Sequence, residues 1–231
     1  MAKIRKGKIS IKDTYYECDY EGDIVDGKAH GKGKLQLSKL DDYEGDFVKN
    51  KRTGKGILTK RNIHGGVIST YEGDFVNGEQ NGIGKETDGL QVYEGEFVNG
   101  DRKGKGKITG RFGDVYEGDF NNGYIVKGKL TSRNGDVYEG DFYDDLKNGK
   151  GKLTHNNGDV YEGGFYRGSF QGKGKMTYAN GNIKDGYWFN GNFMGEGKSG
   201  KEKMVSAEKI KNKPLTDDEL EMMRIRDKVC P

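Results

Sequence analysis

The sequence predicts an all-β protein: an elongated, single-layer antiparallel meander of about eight β-hairpin repeats, with a short C-terminal α-helix. Two observations predict this fold. A Tyr-Glu-Gly triplet recurs along the chain, and each copy leads into turn residues and a second, glycine-rich segment. Successive triplets begin 22 to 28 residues apart, by subtraction of their residue numbers, which is typical of a repeat array. The triplets begin at Tyr20, Tyr43, Tyr71, Tyr93, Tyr116, Tyr138 and Tyr161.

One unit shows how each repeat is expected to fold. Tyr93, Gly95 and Phe97 alternate with acidic residues, which is the period of a β-strand. Asn99-Gly100 favours a hairpin turn because both residues tolerate positive φ. The segment from Gly104 to Ile108 alternates again and predicts the second strand. Two strands and two tight turns fill the period, so no crossover helix fits and the strands must run antiparallel.

This unit resembles the MORN repeat, the membrane occupation and recognition nexus motif. The matching residues are Tyr-Glu-Gly-Asp/Glu-Phe, then Asn-Gly, then Gly-x-Gly, and the resemblance covers roughly residues 16 to 199. A degenerate eighth copy begins at Lys184, and the aromatic residue that the family places after the Thr of the second strand is kept only at Tyr178. The resemblance implies a non-catalytic scaffold whose concave aromatic groove grips a partner, often a helix.

The aromatic side chains of the regular repeats four to seven, together with Trp188 of the degenerate eighth copy, are the candidate partner-binding residues. They share one face of the predicted sheet, and each follows the glycine pattern that leaves room for a ring over the neighbouring backbone. Burial of these rings is expected to hold the array together. The residues are Tyr93, Phe97, Tyr116, Phe120, Tyr138, Phe142, Tyr161, Phe165 and Trp188.

Three irregularities interrupt the pattern. Residues Lys60 to Ser69 form the longest insertion, and we expect them to project as a hairpin loop. Glu86 stands where neighbouring repeats have an aliphatic residue. Because burying a carboxylate away from water is costly, we expect a register shift that exposes its side chain to solvent. The fifth repeat lacks the first glycine of its pair, before Gly128. The last two sites are expected to bend the array.

We divide the chain into four segments by these patterns. The N-terminal segment contains Gly7-Lys8-Ile9-Ser10, which resembles the second strand of a repeat that lacks its first strand. Its lysines suit an edge strand that resists edge-to-edge pairing, and an anionic-lipid contact is the alternative. The segments are 1–15, the basic segment and edge strand; 16–199, the repeat array; 200–213, a basic linker; and 214–231, a C-terminal helix.

The last segment has the features of a helix start. Thr216 and Glu219 form a capping box, and Leu215 and Leu220 add the spacing of a hydrophobic staple. A helix this short is marginal alone. We therefore expect the helix, which ends near Lys228, to dock on the array, either on its own last repeats or on those of a second chain.

Composition and charge exclude several classes. The net charge is +3, which is too balanced to indicate nucleic acid binding, and no apolar run is long enough to span a membrane. Cys18 and Cys230 form no disulfide or metal pattern, and no pair of histidines has metal-ligand spacing. We expect no catalytic residue, no cofactor and no metal, and a cytoplasmic location, peripheral to a membrane or the cytoskeleton in some interpretations.

Three functions stay open on the sequence. The first is a protein-interaction scaffold that uses its aromatic groove, its C-terminal helix or both. The second is a peripheral module that binds anionic phospholipid through its lysines. The third is a structural protein that self-associates through its terminal repeats, for example as a homodimer.

Overall fold

The structure is a computed structural model that describes residues 5–12, 17–36 and 41–211. These residues form one sheet of seventeen strands and one helix. The strands are β1 (Arg5–Lys12), β2 (Glu17–Val25), β3 (Lys28–Gln36), β4 (Asp41–Val48), β5 (Lys51–Arg61), β6 (Val67–Val76), β7 (Glu79–Asp88), β8 (Gln91–Val98), β9 (Asp101–Gly110), β10 (Val115–Asn121), β11 (Tyr124–Thr131), β12 (Val137–Tyr143), β13 (Leu146–Thr154), β14 (Val160–Tyr166), β15 (Ser169–Thr177), β16 (Ile183–Phe189) and β17 (Asn192–Gly195), and the helix is α1 (Gly197–Lys211).

Each strand pairs antiparallel with the next one along the chain, which confirms the predicted open meander. The hairpin turns use residues with positive φ, such as Asn99 at 51° and Gly100 at 87°. The register places a glycine of each strand from β1 to β16 opposite a glycine of its neighbour. We call this line the glycine row: Gly7, Gly22, Gly33, Gly45, Gly56, Gly73, Gly84, Gly95, Gly106, Gly118, Gly128, Gly140, Gly151, Gly163, Gly174 and Gly186.

The glycine row exists because tyrosine rings lie on it. The Tyr93 ring covers Gly95 of its own strand and Gly106 of the next, where a methyl group would collide with the ring. The hydroxyl of Tyr93 donates a hydrogen bond to the backbone carbonyl of Glu96 at 3.0 Å, so the buried polar atom is satisfied. Tyr20, Tyr43, Tyr71, Tyr138 and Tyr161 make the equivalent hydrogen bond.

These tyrosines alternate with phenylalanines in a stack that we call the aromatic ladder. Tyr93 packs edge-to-face on Phe97 of its own repeat at 5.2 Å and on Phe120 of the next repeat at 5.1 Å between ring centroids. The three side chains are at most 2% exposed. Because each Tyr links two repeats, the ladder is the core of this sheet and couples neighbouring repeats.

The ladder is interrupted in the fifth repeat. Tyr116 is half-buried and contacts Phe142 at 6.0 Å, but within the described residues no ring contact joins it to Phe120. The backbones of Gly118 and Gly128 lie against each other without a tyrosine hydroxyl between them. The missing glycine of this repeat therefore alters the packing, while the bend expected here stays a prediction.

The expected register shift at Glu86 is wrong. Glu86 pairs in register with Tyr71 on one side and Tyr93 on the other, so it stays on the face of the aromatic ladder. Its carboxylate forms an ion pair with Arg102 at 2.8 Å, and the guanidinium lies 4.9 Å from the centre of the Tyr93 ring. A charged partner and a cation–π contact offset the cost of burial, so the backbone needs no shift.

The insertion in the second repeat is mostly strand, not loop. β5 continues to Arg61 and β6 begins at Val67, which leaves only residues 62–66 between them. The Asn62 side chain closes this turn by accepting hydrogen bonds from the backbone N–H groups of His64 and Gly66 at 2.9 and 3.0 Å. The extra residues therefore lengthen the hairpin.

Most of the expected basic linker, 200–213, is helical. α1 begins at Gly197 and contacts β16 and β17, and the amide of Gln171 on β15 donates to Glu208 at 2.6 Å. Lysine, glutamate, methionine and alanine are good helix formers, and contact with the sheet adds the stability that the segment lacks alone. The second helix expected at Thr216 to Lys228 lies outside the described residues.

The glycine row makes a specific prediction for stability. Gly106→Ala places a methyl group in the space of the Tyr93 ring, and we expect it to destabilise the array by about 1–3 kcal/mol or more, the usual cost of overpacking. Gly89→Ala is the matched control because its methyl group meets nothing within 4 Å. The urea midpoint measures both variants. Equal midpoints for Gly106→Ala and the unmodified chain would contradict this packing.

Because its tyrosine hydroxyls are buried, the sheet is expected to lose stability at high pH. Burial raises the pKa of Tyr43, Tyr93 and Tyr138 to about 12, and it raises the pKa of Tyr71 and Tyr161 as well. Unfolded tyrosines ionise near pH 10, so the unfolded chain releases these protons first. The stability that the fold gains from these protonated, buried hydroxyls is therefore complete below about pH 10 and is lost as the pH rises through about 12.

Urea midpoints measured from pH 8 upward, together with tyrosinate absorbance, check this expectation. We expect the midpoint to fall above about pH 10, with the buried tyrosines ionising only as the sheet unfolds. Lysine deprotonation weakens ion pairs in the same range, so Tyr93→Phe is the control: with one hydroxyl fewer, its midpoint should fall less steeply. Full tyrosine ionisation near pH 10 with an intact sheet would refute the burial argument.

Candidate functional site

The aromatic residues predicted to contact a partner lie in the core. The rings of Tyr93, Tyr138 and Tyr161 are at most 1% exposed, and Trp188 is 4% exposed with its indole N–H donating to the Gly174 carbonyl at 2.9 Å. Apart from Tyr116, the remaining candidates are at most 6% exposed. The rings lie together as predicted, but they cover the glycine row and do not line a groove. These remaining candidates are Phe97, Phe120, Phe142 and Phe165.

The concave surface lies on the opposite side of the sheet, which we call the outer face. It is the face that carries the charged residues between the aromatic ones, such as Glu94 and Lys85. A groove of about 1390 Å³ crosses the strands from β1 to β8 along the glycine row. We call it the outer groove. It is lined by Lys6, Glu21, Gly22, Asp23, Lys32, Gly33, Lys34, Glu44, Gly45, Lys55, Gly56, Ile57, Glu72, Gly73, Ile83, Gly84, Lys85, Glu94 and Gly95.

Ion pairs between repeats order the charges of the outer groove. Lys34 contacts Glu44 of the next repeat at 2.9 Å, and Lys85 contacts Glu94 at 3.0 Å. These pairs are half or more exposed, so each contributes at most about 1 kcal/mol to stability. Their main effect is to present rows of both signs at fixed spacing, which suits a polar partner that carries both charges.

Two isoleucines interrupt the charges. Ile57 is 44% exposed and Ile83 is 60% exposed, and both line the outer groove. Other repeats carry lysine at these places, as in Lys105-Gly106-Lys107. The sequence signal was therefore present as a break in the Lys-Gly-Lys pattern, but without knowledge of the concave face it did not indicate a site. The isoleucines provide the apolar anchors that the groove otherwise lacks.

A second concave stretch follows in the later repeats. It measures about 800 Å³ and includes Lys127, Lys150 and Glu162 together with Gly140 and Gly151. Its charged side chains repeat the pattern of the outer groove, but no isoleucine lines it. The combination of charge and exposed apolar surface is therefore found in the first stretch.

The helix α1 packs on the last hairpin of the sheet, β16 and β17. Phe189 is half-buried, although residues at the same place in earlier repeats, such as Val76 and Tyr166, are 52% and 50% exposed. Tyr187, which replaces an acidic residue of that face, is half-buried as well. Since α1 is the element that packs on β16 and β17 there, we infer that it covers these two side chains.

An apolar patch lies at the turns between repeats. Leu90 and Phe112 are each 65% exposed in neighbouring turns, and the backbone N–H of Arg111 donates to the Leu90 carbonyl at 2.8 Å. The guanidinium groups of Arg111 and Arg133 lie 4.8 and 6.0 Å from the Phe112 ring centre. We call these four residues the turn patch. Its two apolar side chains and its two cations lie together at the surface.

The described residues contain no group of His, Cys, Asp and Glu side chains that could hold a metal ion. His155 forms a hydrogen bond with Asp136 at 3.1 Å, which joins two neighbouring turns. None of the helices in the described part of the chain is long and apolar enough to cross a membrane. The described residues therefore show no arrangement suited to catalysis.

Comparison with known proteins agrees with this geometry. The family model described as the MORN repeat matches eight segments, which together cover more than half of the chain. No curated protein matches the sequence. The matched segments are residues 20–39, 43–62, 71–89, 93–114, 116–137, 138–160, 161–183 and 185–199.

Proposed function

Because the chain belongs to the MORN repeat family, we propose that it is a non-catalytic scaffold that binds a protein partner. We further propose that the partner is a helix and that it lies in the outer groove between β1 and β8. This differs in location from the aromatic groove that the sequence suggested, since the rings of the ladder are buried. The scaffold role itself is unchanged.

The observation that carries the proposal is the position of α1. A helix of this chain packs against the last hairpin, where the outer face carries aromatic residues in place of charges. The outer groove has the same glycine row as its floor and exposes Ile57 and Ile83, but no element of the described chain covers them. The cis helix therefore serves as an example of what this face accommodates.

The dimensions of the outer groove suit a helix. Seven spacings between the eight strands give a length of about 34 Å, which corresponds to roughly 22 helical residues. The floor is glycine, so the partner backbone can approach the sheet closely. A partner helix with an apolar stripe for Ile57 and Ile83 and flanking charges of both signs would match the groove.

Charge insertion at the isoleucines tests the proposal. Ile57→Lys/Ile83→Lys introduces the residue that other repeats carry at these places, so we expect the fold to be kept. We expect the variant to lose the partners that the unmodified chain retains in a pull-down, because lysine cannot fill an apolar site. Ile63→Lys/Ile68→Lys is the matched control, since both residues are exposed, at 81% and 53%, outside the groove.

Retained proteins are identified by mass spectrometry and then tested one at a time by calorimetry as purified fragments. A helical fragment that binds the unmodified chain and the control, but not the groove variant, supports the proposal. Equal retention by the groove variant and the control variant would place the binding surface elsewhere.

The turn patch favours a second candidate function, contact with an anionic lipid surface. Leu90 and Phe112 expose apolar groups in the turns at one end of the strands. Arg111 and Arg133 supply the positive charge that acidic headgroups attract. Apolar insertion combined with basic residues is the usual basis of peripheral membrane binding. The N-terminal lysines suggested by the sequence would add to this attraction.

Co-sedimentation with vesicles that contain phosphatidylserine tests this candidate. We expect Leu90→Ser/Phe112→Ser to lose binding at low salt. Tyr143→Ser/Tyr166→Ser is the control, because these residues are 73% and 50% exposed at the opposite ends of the strands. Equal binding by both variants, or no binding by the unmodified chain, would rule the turn patch out.

A further inference from the structure

β1 forms one edge of the described sheet. β1 pairs with β2 over its whole length, and within residues 5–12, 17–36 and 41–211 no strand pairs with its other edge. At the opposite end of the sheet, α1 packs on β16 and β17. The outer edge of β1 therefore presents backbone N–H and C=O groups that are able to pair with an added strand.

The sequence and register of β1 match the second strand of a repeat. Lys6-Gly7-Lys8 corresponds to Lys32-Gly33-Lys34 of β3, and Gly7 joins the glycine row opposite Gly22. In the complete first repeat, the Tyr20 ring of the first strand covers Gly33. Among the described residues no tyrosine covers Gly7, and the nearest atom to an added methyl group is Cδ1 of Ile24, at 3.2 Å.

In the described part of the chain, the apolar side of β1 also lacks a neighbour beyond its outer edge. In the array, Leu35 lies between Tyr20 and Tyr43 in register and is 5% exposed. Ile9 occupies the equivalent place in β1, with Tyr20 on one side only, and it is half-buried. A tyrosine on an added strand would complete the packing of Ile9 and would cover Gly7, as Tyr20 covers Gly33.

The charges at this edge specify the added strand. Lys34 lies in register between Glu21 of β2 and Glu44 of β4. Among the described strands Lys8 lies beside Glu21 only, with which it forms an ion pair at 3.1 Å, and its side chain is 79% exposed. An acidic residue on the added strand would give Lys8 its second neighbour. A basic strand would be repelled, which agrees with the view that edge lysines resist pairing with like strands.

We propose that the outer edge of β1 is a binding site for an extended acidic segment of a partner protein, which adds as an antiparallel strand. The segment has the form Tyr-acidic-Gly-acidic-apolar, with its Tyr opposite Ile9, its first acid opposite Lys8 and its Gly opposite Gly7. The glycine is required because the tyrosine ring lies over the paired glycines, as in the repeats. This site lies at the outer edge of β1, next to the end of the outer groove that Lys6 lines, and it goes beyond the scaffold function proposed above.

A short peptide tests this site without altering the protein. The probe is a fluorescently labelled peptide with the sequence of residues 114–121, Asp-Val-Tyr-Glu-Gly-Asp-Phe-Asn. We expect it to bind the full chain and to protect the β1 amides from hydrogen exchange. Peptides with Tyr replaced by Ala, Gly replaced by Val, or all acids replaced by Lys should bind roughly ten-fold or more weakly. The first peptide loses the ring, the second places a side chain in the space of the ring, and the third loses the attraction to Lys8.

Protein variants provide the second measurement. Gly7→Ala fills the position that the tyrosine ring would occupy and should weaken binding of the peptide, while Gly89→Ala should not change it. Exchange protection of β1 in the free variant shows that the strand is still paired with β2. Ile57→Lys/Ile83→Lys should bind the peptide normally, so failure of this inference and failure of the groove proposal are distinguishable. No binding at millimolar peptide, equal binding of the acidic and basic peptides, or protection confined to another region would each overturn the proposal.

Discussion

The packing of a tyrosine ring over a pair of glycines is the contact on which the rest of this structure depends. It explains why a sheet with only one layer has a core: the ring of Tyr93 is enclosed by the backbone of two strands and by Phe97 and Phe120. It also explains the glycine content, since a side chain at Gly95 or Gly106 would occupy the space of the ring. The same row of glycines provides the floor of the outer groove on the other side.

Much of the fold could be predicted from the sequence because the repeat is local. The alternation of Tyr93, Gly95 and Phe97 identifies the strand, its buried face and its turn within a few residues. The partner of Glu86 could not be predicted in this way. Arg102 lies 16 residues away on a strand that is not an immediate neighbour, so their contact depends on the register of three strands.

The candidate sites were harder to predict for the same reason. Strand periodicity separates two faces but does not show which of them is concave, and the family resemblance places the groove on the aromatic face. The exposed Ile57 and Ile83 gain significance only when the glycine row places them along one channel. α1 was missed because Gly197 to Lys211 is rich in glycine and lysine and has no strong apolar stripe, so its helix depends on contact with β16 and β17.

The interruption of the ladder in the fifth repeat affects the cooperativity between neighbouring repeats. In a linear array, cooperativity passes from one unit to the next through the interface that they share. Tyr93 still contacts Phe120, but the chain of rings does not continue from Phe120 to Tyr116 within the described residues. The ladder of rings therefore breaks inside the array, and we expect the repeats on the two sides of this break to be coupled less tightly than neighbouring repeats elsewhere.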